Sequence, residues 1–131
     1  MTTPFNVDGA FKLIAQAGAD LSASQFRAVK PGATEGQVVA IAAATDRPVG
    51  VLKDAQTVIG QPVDAVMFGY VEMEAGAAIT YGDELELDAV GRAITSVPTA
   101  GVHQIGWAAT AAGGIGERFT ACINLMAPWE D

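Results

Sequence analysis

Val71 to Ile94 reads VEMEAGAAITYGDELELDAVGRAI, and the alternation inside it decides the fold. Glu84, Glu86 and Asp88 alternate with Leu85 and Leu87. An extended segment here carries carboxylates on one face and leucines on the other, the pattern of a half-buried strand. Gly76 and Tyr81-Gly82-Asp83 precede it and Gly91 follows it, where a reversing chain needs residues that tolerate positive φ. Arg92 to Ile94 is then the return arm of a hairpin.

Working outward, Val63 to Met73 is the most apolar strand, with Val63, Ala65, Met67, Val71 and Met73 on one face and Val66, Phe68 and Tyr70 on the other. Both faces are apolar in the middle, so the Val66, Phe68, Tyr70 side is a second internal layer or a subunit contact. Upstream, Ser24–Lys30 reads as a core strand, with Phe26 and Ala28 set against Gln25 and Arg27. Gln37–Ala44, QVVAIAAA, reads as a strand buried on both faces, and Val49–Leu52 as a short strand started by Pro48. Lys53–Gln61 is a connection. Downstream, Val102–Ala109 alternates with Ile105 and Trp107 together, a glycine-rich link covers 111–116, and Glu117–Met126 closes with Phe119, Ala121, Ile123 and Leu125 inward. Strands this short, with turn signals every eight to twelve residues or so, predict an all-β small barrel or sandwich. Before them, Phe11, Leu13, Ala15 and Ala17 alternate as a strand would, while Phe11, Ile14, Ala15 and Gly18 also make a short helical stripe. The expectation is an extended N-terminal arm over 1–17, a β-rich domain over 18–126 and a C-terminal tail over 127–131.

The 131 residues suffice for one domain. Roughly two-thirds of the unfolded surface, on the order of 13,000 Å², would leave water on folding. Much of the apolar half is alanine, and with 15 glycines the core is thin for its length, which points to help from a partner or from self-association. A net charge of −8, with only seven Lys and Arg, argues against binding a nucleic-acid backbone. Acidity also keeps a protein made in many copies soluble. The single cysteine, Cys122, allows no intrachain disulfide, and MTTPFNVDG lacks the basic and apolar regions of a signal peptide. No window approaches a membrane span, so synthesis in a cytoplasm and no membrane partner are expected.

No residue constellation here carries chemistry. His103, the one histidine, has only Val102 and Gln104 beside it and reads as a half-buried structural or interface residue. Cys122 would need a histidine base to act as a nucleophile. Asp83, Glu84, Glu86 and Asp88 invite a hard cation, but alternate side chains on a strand stand roughly 6 to 7 Å apart. A solvated acidic face is the better account. Gly113-Gly-Ile-Gly116 leads into a β-rich run, whereas a phosphate cradle leads into a helix. No catalytic residue, cofactor or metal is expected. Trp129, in the tail Ala127-Pro-Trp-Glu-Asp131, either anchors a partner or folds back on its own domain.

The phrase AGAAITYGDELELDAVGRAI, with VMFGYVEME before it and VHQIGWAATAAGGIGERFTACINL after it, resembles the small capsid decoration (cement) proteins of tailed bacteriophages. The shared features are an AGAAIT-like turn, a Gly-Asp step, a DxxGRA-like turn, an IG-apolar-Ala strand and a closing strand. AQAGADLSASQFRAVK and RPVGVL are similar to that family's opening strands, so the resemblance runs from Ala15 to Leu125. Val90 departs from it, standing where Asp or Asn is usual, and both chain ends lie outside it. The resemblance implies a non-enzymatic virion protein that binds the major capsid protein on the outer face of the assembled shell. It also implies a homotrimer over three-fold and quasi-three-fold sites, and stabilisation of the expanded form. The expected contacts are Pro4, Phe5 and Phe11 on the arm, Phe68 and Tyr70 between subunits, and Trp129 on the tail. Alternatives are a tail or head-fibre component and, further off, a ligand-binding barrel or enzyme around His103 or Cys122.

Overall fold

The computed structural model describes residues 11–97 and 104–125. Nine strands run in chain order: β1 (Phe11–Ala17), β2 (Ala28–Pro31), β3 (Gln37–Ala40), β4 (Gly50–Leu52), β5 (Pro62–Glu74), β6 (Glu84–Leu87), β7 (Ala93–Thr95), β8 (Gln104–Ala108) and β9 (Arg118–Asn124). The one helical element among the described residues is a 3₁₀ turn, Ser22–Ser24. The first five strands close into a barrel in the order β1-β3-β2-β4-β5, because β1 pairs with both β3 and β5. The order then continues β5-β9-β8-β6-β7 into a second sheet. That sheet curls until Ala93 bridges Ala75, where the Gly76 N–H donates to the Ala93 carbonyl at 2.8 Å. Of the all-β barrel or sandwich expected from the turn spacing, the barrel is present, and a curled sheet is built onto it.

β5 belongs to both halves. At thirteen residues it spans roughly 40 Å, pairing with β1 and β4 through its first half and with β9 through its second. Val63 and Ala65 point into the barrel with Ala15, Ala17, Leu21, Val29, Val38 and Leu52. Val71 and Met73 point into the second core with Leu85, Leu87, Ile105, Phe119 and Ile123, and Val66 joins them there. A regular strand does not put 66, 71 and 73 on one side. The step is a bulge: Phe11 pairs with Phe68 and Lys12 with Val66, leaving Met67 as an extra residue on β5. One extra residue exchanges the two faces of everything after it. The expectation that Val63, Ala65, Met67, Val71 and Met73 share a face is corrected accordingly, since Met67 is only half-buried and Phe68 is turned outward.

Other strands fall short of their expected limits for local reasons. The backbone of Phe26 has φ +64, so the predicted alternation from Ser24 fails and β2 starts at Ala28. Phe26 instead lies under the Arg118 guanidinium, 4.7 Å from its ring centre, beside the two-pronged Arg27–Glu74 ion pair at 3.1–3.2 Å. β3 ends at Ala40 because the Asp46 carboxylate accepts from the Ala42 and Ala43 N–H groups, each at 2.9 Å, and so turns the alanine run outward. The Lys30 ammonium, 2.9 Å away, and those two amides hold the Asp46 carboxyl below its usual value. Residues 11–17, expected within the arm, form β1.

In the central hairpin Leu85 pairs with Thr95 and Leu87 with Ala93, and both leucines are buried. The carboxylates do not form one solvated face. Glu86 is buried and accepts the Val97 N–H at 2.7 Å, while Asp88 accepts from Val90, Arg92 and the Arg92 side chain. Those bonds to Asp88 build the turn, which is why Val90 is accommodated without a turn-forming side chain of its own.

Gly106 tests this packing most sharply. With φ +154, a methyl group there would overlap the Cys122 carbonyl oxygen and approach the Ile123 Cα to 2.8 Å. Gly106→Ala is expected to cost about 3 kcal/mol or more in urea denaturation. Gly114→Ala, with open space around it, should change stability by no more than about 0.5 kcal/mol.

A candidate interaction surface at the waist

The bulge in β5 sets what faces outward where the two halves meet. Beyond Met67 the outward side chains are Phe68, 43% exposed, and Tyr70, half-buried. Phe68 pairs with Asn124 of β9 and, across the other edge, with Phe11 of β1. Tyr70 pairs with Cys122, and Cys122 with Trp107 of β8, which pairs in turn with Glu84 of β6. Neighbouring strands lie about 4.8 Å apart, so Tyr70, Cys122 and Trp107 form a continuous row across the sheet.

The alternation puts Trp107 on one face together with Ile105. Instead Ile105 is buried and Trp107 is 36% exposed. β8 carries its own irregularity, with Leu85 paired to Gly106 but Glu86 to Gln104, and the step turns Trp107 onto the outer face. Gly106 in the string IGWA was the available signal, since a glycine inside a strand marks a bulge or a close backbone approach. Beside Trp107 runs a shallow groove lined by Gly82, Glu84, Gln104 and Asn124. The Gln104 amide donates to Glu84 at 2.8 Å and lies 3.4 Å from the Ser96 hydroxyl, fixing this polar rim.

The first and last described residues meet at the same place. Phe11 pairs with Phe68, and the Leu125 N–H donates to the Met67 carbonyl at 2.8 Å. Residues 1–10 and 126–131 are therefore attached at the bulge, on either side of β5. Pro4, Phe5, Trp129 and His103 lie outside the described residues. Of the expected contacts, Phe11 and Phe68 are backbone partners here, with Tyr70 two residues further along β5.

The surface offers shape and apolar area rather than chemistry. Cys122 is a free thiol whose cross-strand neighbours are Tyr70 and Trp107. Among the described residues no three His, Cys, Asp or Glu side chains are grouped to hold a metal ion.

Comparison with known proteins gives this geometry its context. The family model for the phage cement protein matches residues 24–123, from the 3₁₀ turn to the penultimate residue of β9. The chain belongs to the phage cement protein family. It is thus a structural protein of a phage virion, associated with the capsid. Among solved structures it is similar to the crystal structure of the head fiber gp8.5 N base in bacteriophage phi29. That likeness has a TM-score of 0.66 at 20% identity, over 92% of this chain and 98% of the other. It extends the match in fold beyond the cement-family segment. No curated protein matches the chain.

For a cement protein with its waist aromatics outside the core, surface and core substitutions separate cleanly. Phe68→Ser and Trp107→Ser should each lower stability by no more than about 1.5 kcal/mol. Phe119→Ala, at a residue only 2% exposed, should cost about 3–5 kcal/mol in the same urea titration. Equal losses at all three positions would mean that the waist aromatics belong to the core.

Proposed function

We propose that this cement protein binds the major capsid protein on the outer face of the assembled shell, as a homotrimer over three-fold and quasi-three-fold sites, and stiffens the expanded form. The observation that carries this reading is the convergence at the waist. A single patch joins both terminal segments to an exposed aromatic row, so the arm residues Pro4, Phe5 and Phe11 and the tail residue Trp129 engage the shell from one place, with Phe68 and Tyr70 between neighbouring copies. The chain acts without catalysis or cofactor, is made in the host cytoplasm, and needs neither nucleic acid nor membrane. Its mechanism is linkage. A ligand that binds only the expanded state stabilises it by about 2.7 kcal/mol per site when present at roughly 100 times its Kd. Repeated over a shell, small contacts suffice. The fold shared with a head fiber base supports one alternative, a head-fibre component, which would bind at a limited set of positions instead of saturating the lattice.

Co-sedimentation with expanded and unexpanded shells from the same genome separates these readings. Saturable binding that prefers expanded shells is expected, with stoichiometry matching the three-fold and quasi-three-fold sites. Phe5→Ala combined with Trp129→Ala should weaken it by about tenfold or more while leaving the unfolding midpoint unchanged. Unchanged binding would remove both residues from the contact, and absence of binding to either shell would overturn the cement reading.

A further inference from the structure

We propose that a second copy of this chain covers the row Tyr70, Cys122 and Trp107, with the row against the symmetry axis and Trp107 at the centre of the contact. The inference rests on the reading above that copies sit side by side on the shell, and it goes beyond that reading by assigning the contact to β8 and β9 as well as β5.

Charge selects the occupant. The described residues from Phe68 onward carry seven carboxylates against two arginines, so most of this half repels a like copy. The row is its charge-poor part. The carboxylates beside it are Glu72, 3.9 Å from Arg118, and Glu84, which accepts the Gln104 amide. A shell partner chosen for charge complementarity would be met through carboxylates, whereas a copy of the same chain must be met where they are few and engaged. Composition agrees, since Trp and Tyr are the residues that interface centres favour, here beside the Gln104 and Asn124 amides.

Area sets the strength. The two partly exposed rings contribute on the order of 100–200 Å² together, well short of the roughly 800 Å² per partner of a stable interface. Copies held on a shell need much less, because tethering raises their effective concentration. The contact therefore forms on the lattice and is weak in free solution. Near a three-fold axis each row meets its own equivalents, which brings Cys122 thiols of neighbouring copies within reach of a short bismaleimide.

Cys122, the sole thiol, serves as the reporter without any substitution. The experiment compares the full-length protein free, concentrated, and bound to expanded shells. It follows alkylation of Cys122 by a monofunctional maleimide and covalent pairing by the bismaleimide. Alkylation about tenfold slower on shells, with covalent dimers that disappear in Trp107→Glu, is expected. Slower alkylation without dimers would show that the shell covers the row, and unchanged alkylation of bound protein would show that nothing does; either overturns the inference. Where shells bind no protein, the cement reading fails by itself and the concentrated free protein decides. Dimers abolished by Trp107→Glu, in a variant that keeps its unfolding midpoint, still support the contact, and their absence there overturns it.

Discussion

A strand that leaves one apolar core and enters another on the opposite side must exchange its buried and exposed faces on the way. β5 does so with one extra residue, Met67. Before it, Val63 and Ala65 fill the barrel; after it, Val71 and Met73 fill the second sheet. The rest of the molecule depends on that step. β1 and β4 flank the strand on the barrel side, and β9 continues the sheet from its second half. The same step takes Phe68 off the side that Val66, Val71 and Met73 share and leaves it 43% exposed. A packing requirement at the centre of the fold thus creates the outward aromatic at its waist.

The joint between the halves is held mainly by shape. Gly106 lets β8 lie close against β9, where any side chain would meet backbone atoms. Gly91 approaches the Ala28 carbonyl in the same way, bringing the Asp88–Arg92 turn of the second sheet against the barrel. Arg27 reaches Glu74 with both prongs, and Arg118 covers Phe26. These ionic contacts are partly exposed, so each adds little to stability on its own. They fix the relation of the halves, while the two apolar clusters provide most of the burial. A core of this kind, thin in large side chains, suits a protein that works bound to something else.

Much of the fold was legible in the residues because period-2 alternation and turn glycines carry it. The β6–β7 hairpin was readable from ELELD and the glycines around it, and the inward set Phe119, Ala121 and Ile123 of β9 from plain alternation. What stayed hidden came from single-residue irregularities. A bulge leaves every neighbouring residue in place in the sequence but reverses its face, so Met67 and Trp107 were both assigned to the wrong side. Phe26 was misread because a positive φ in a non-glycine residue has no sequence marker. The buried Glu86 looked like one more surface acid, since its partner is the backbone N–H of Val97, eleven residues on. At the interaction surface, Phe68 and Tyr70 could be singled out as apolar residues on a strand with two apolar faces. That Phe11 and Leu125 flank β5 on its two edges beside them is a fact of topology, which no local pattern reports.

On the function proposed above, the waist is the working surface of this cement protein, with both terminal segments and the aromatic row acting together. Hydrogen exchange of the full-length protein, free and bound to expanded shells, tests it most directly. Binding should slow exchange at residues 67–70, 104–107 and 122–125, while the turns at 57–60 and 113–116, each at one end of β5, exchange as in the free protein. Protection concentrated at either of those turns, with the waist unchanged, would contradict it.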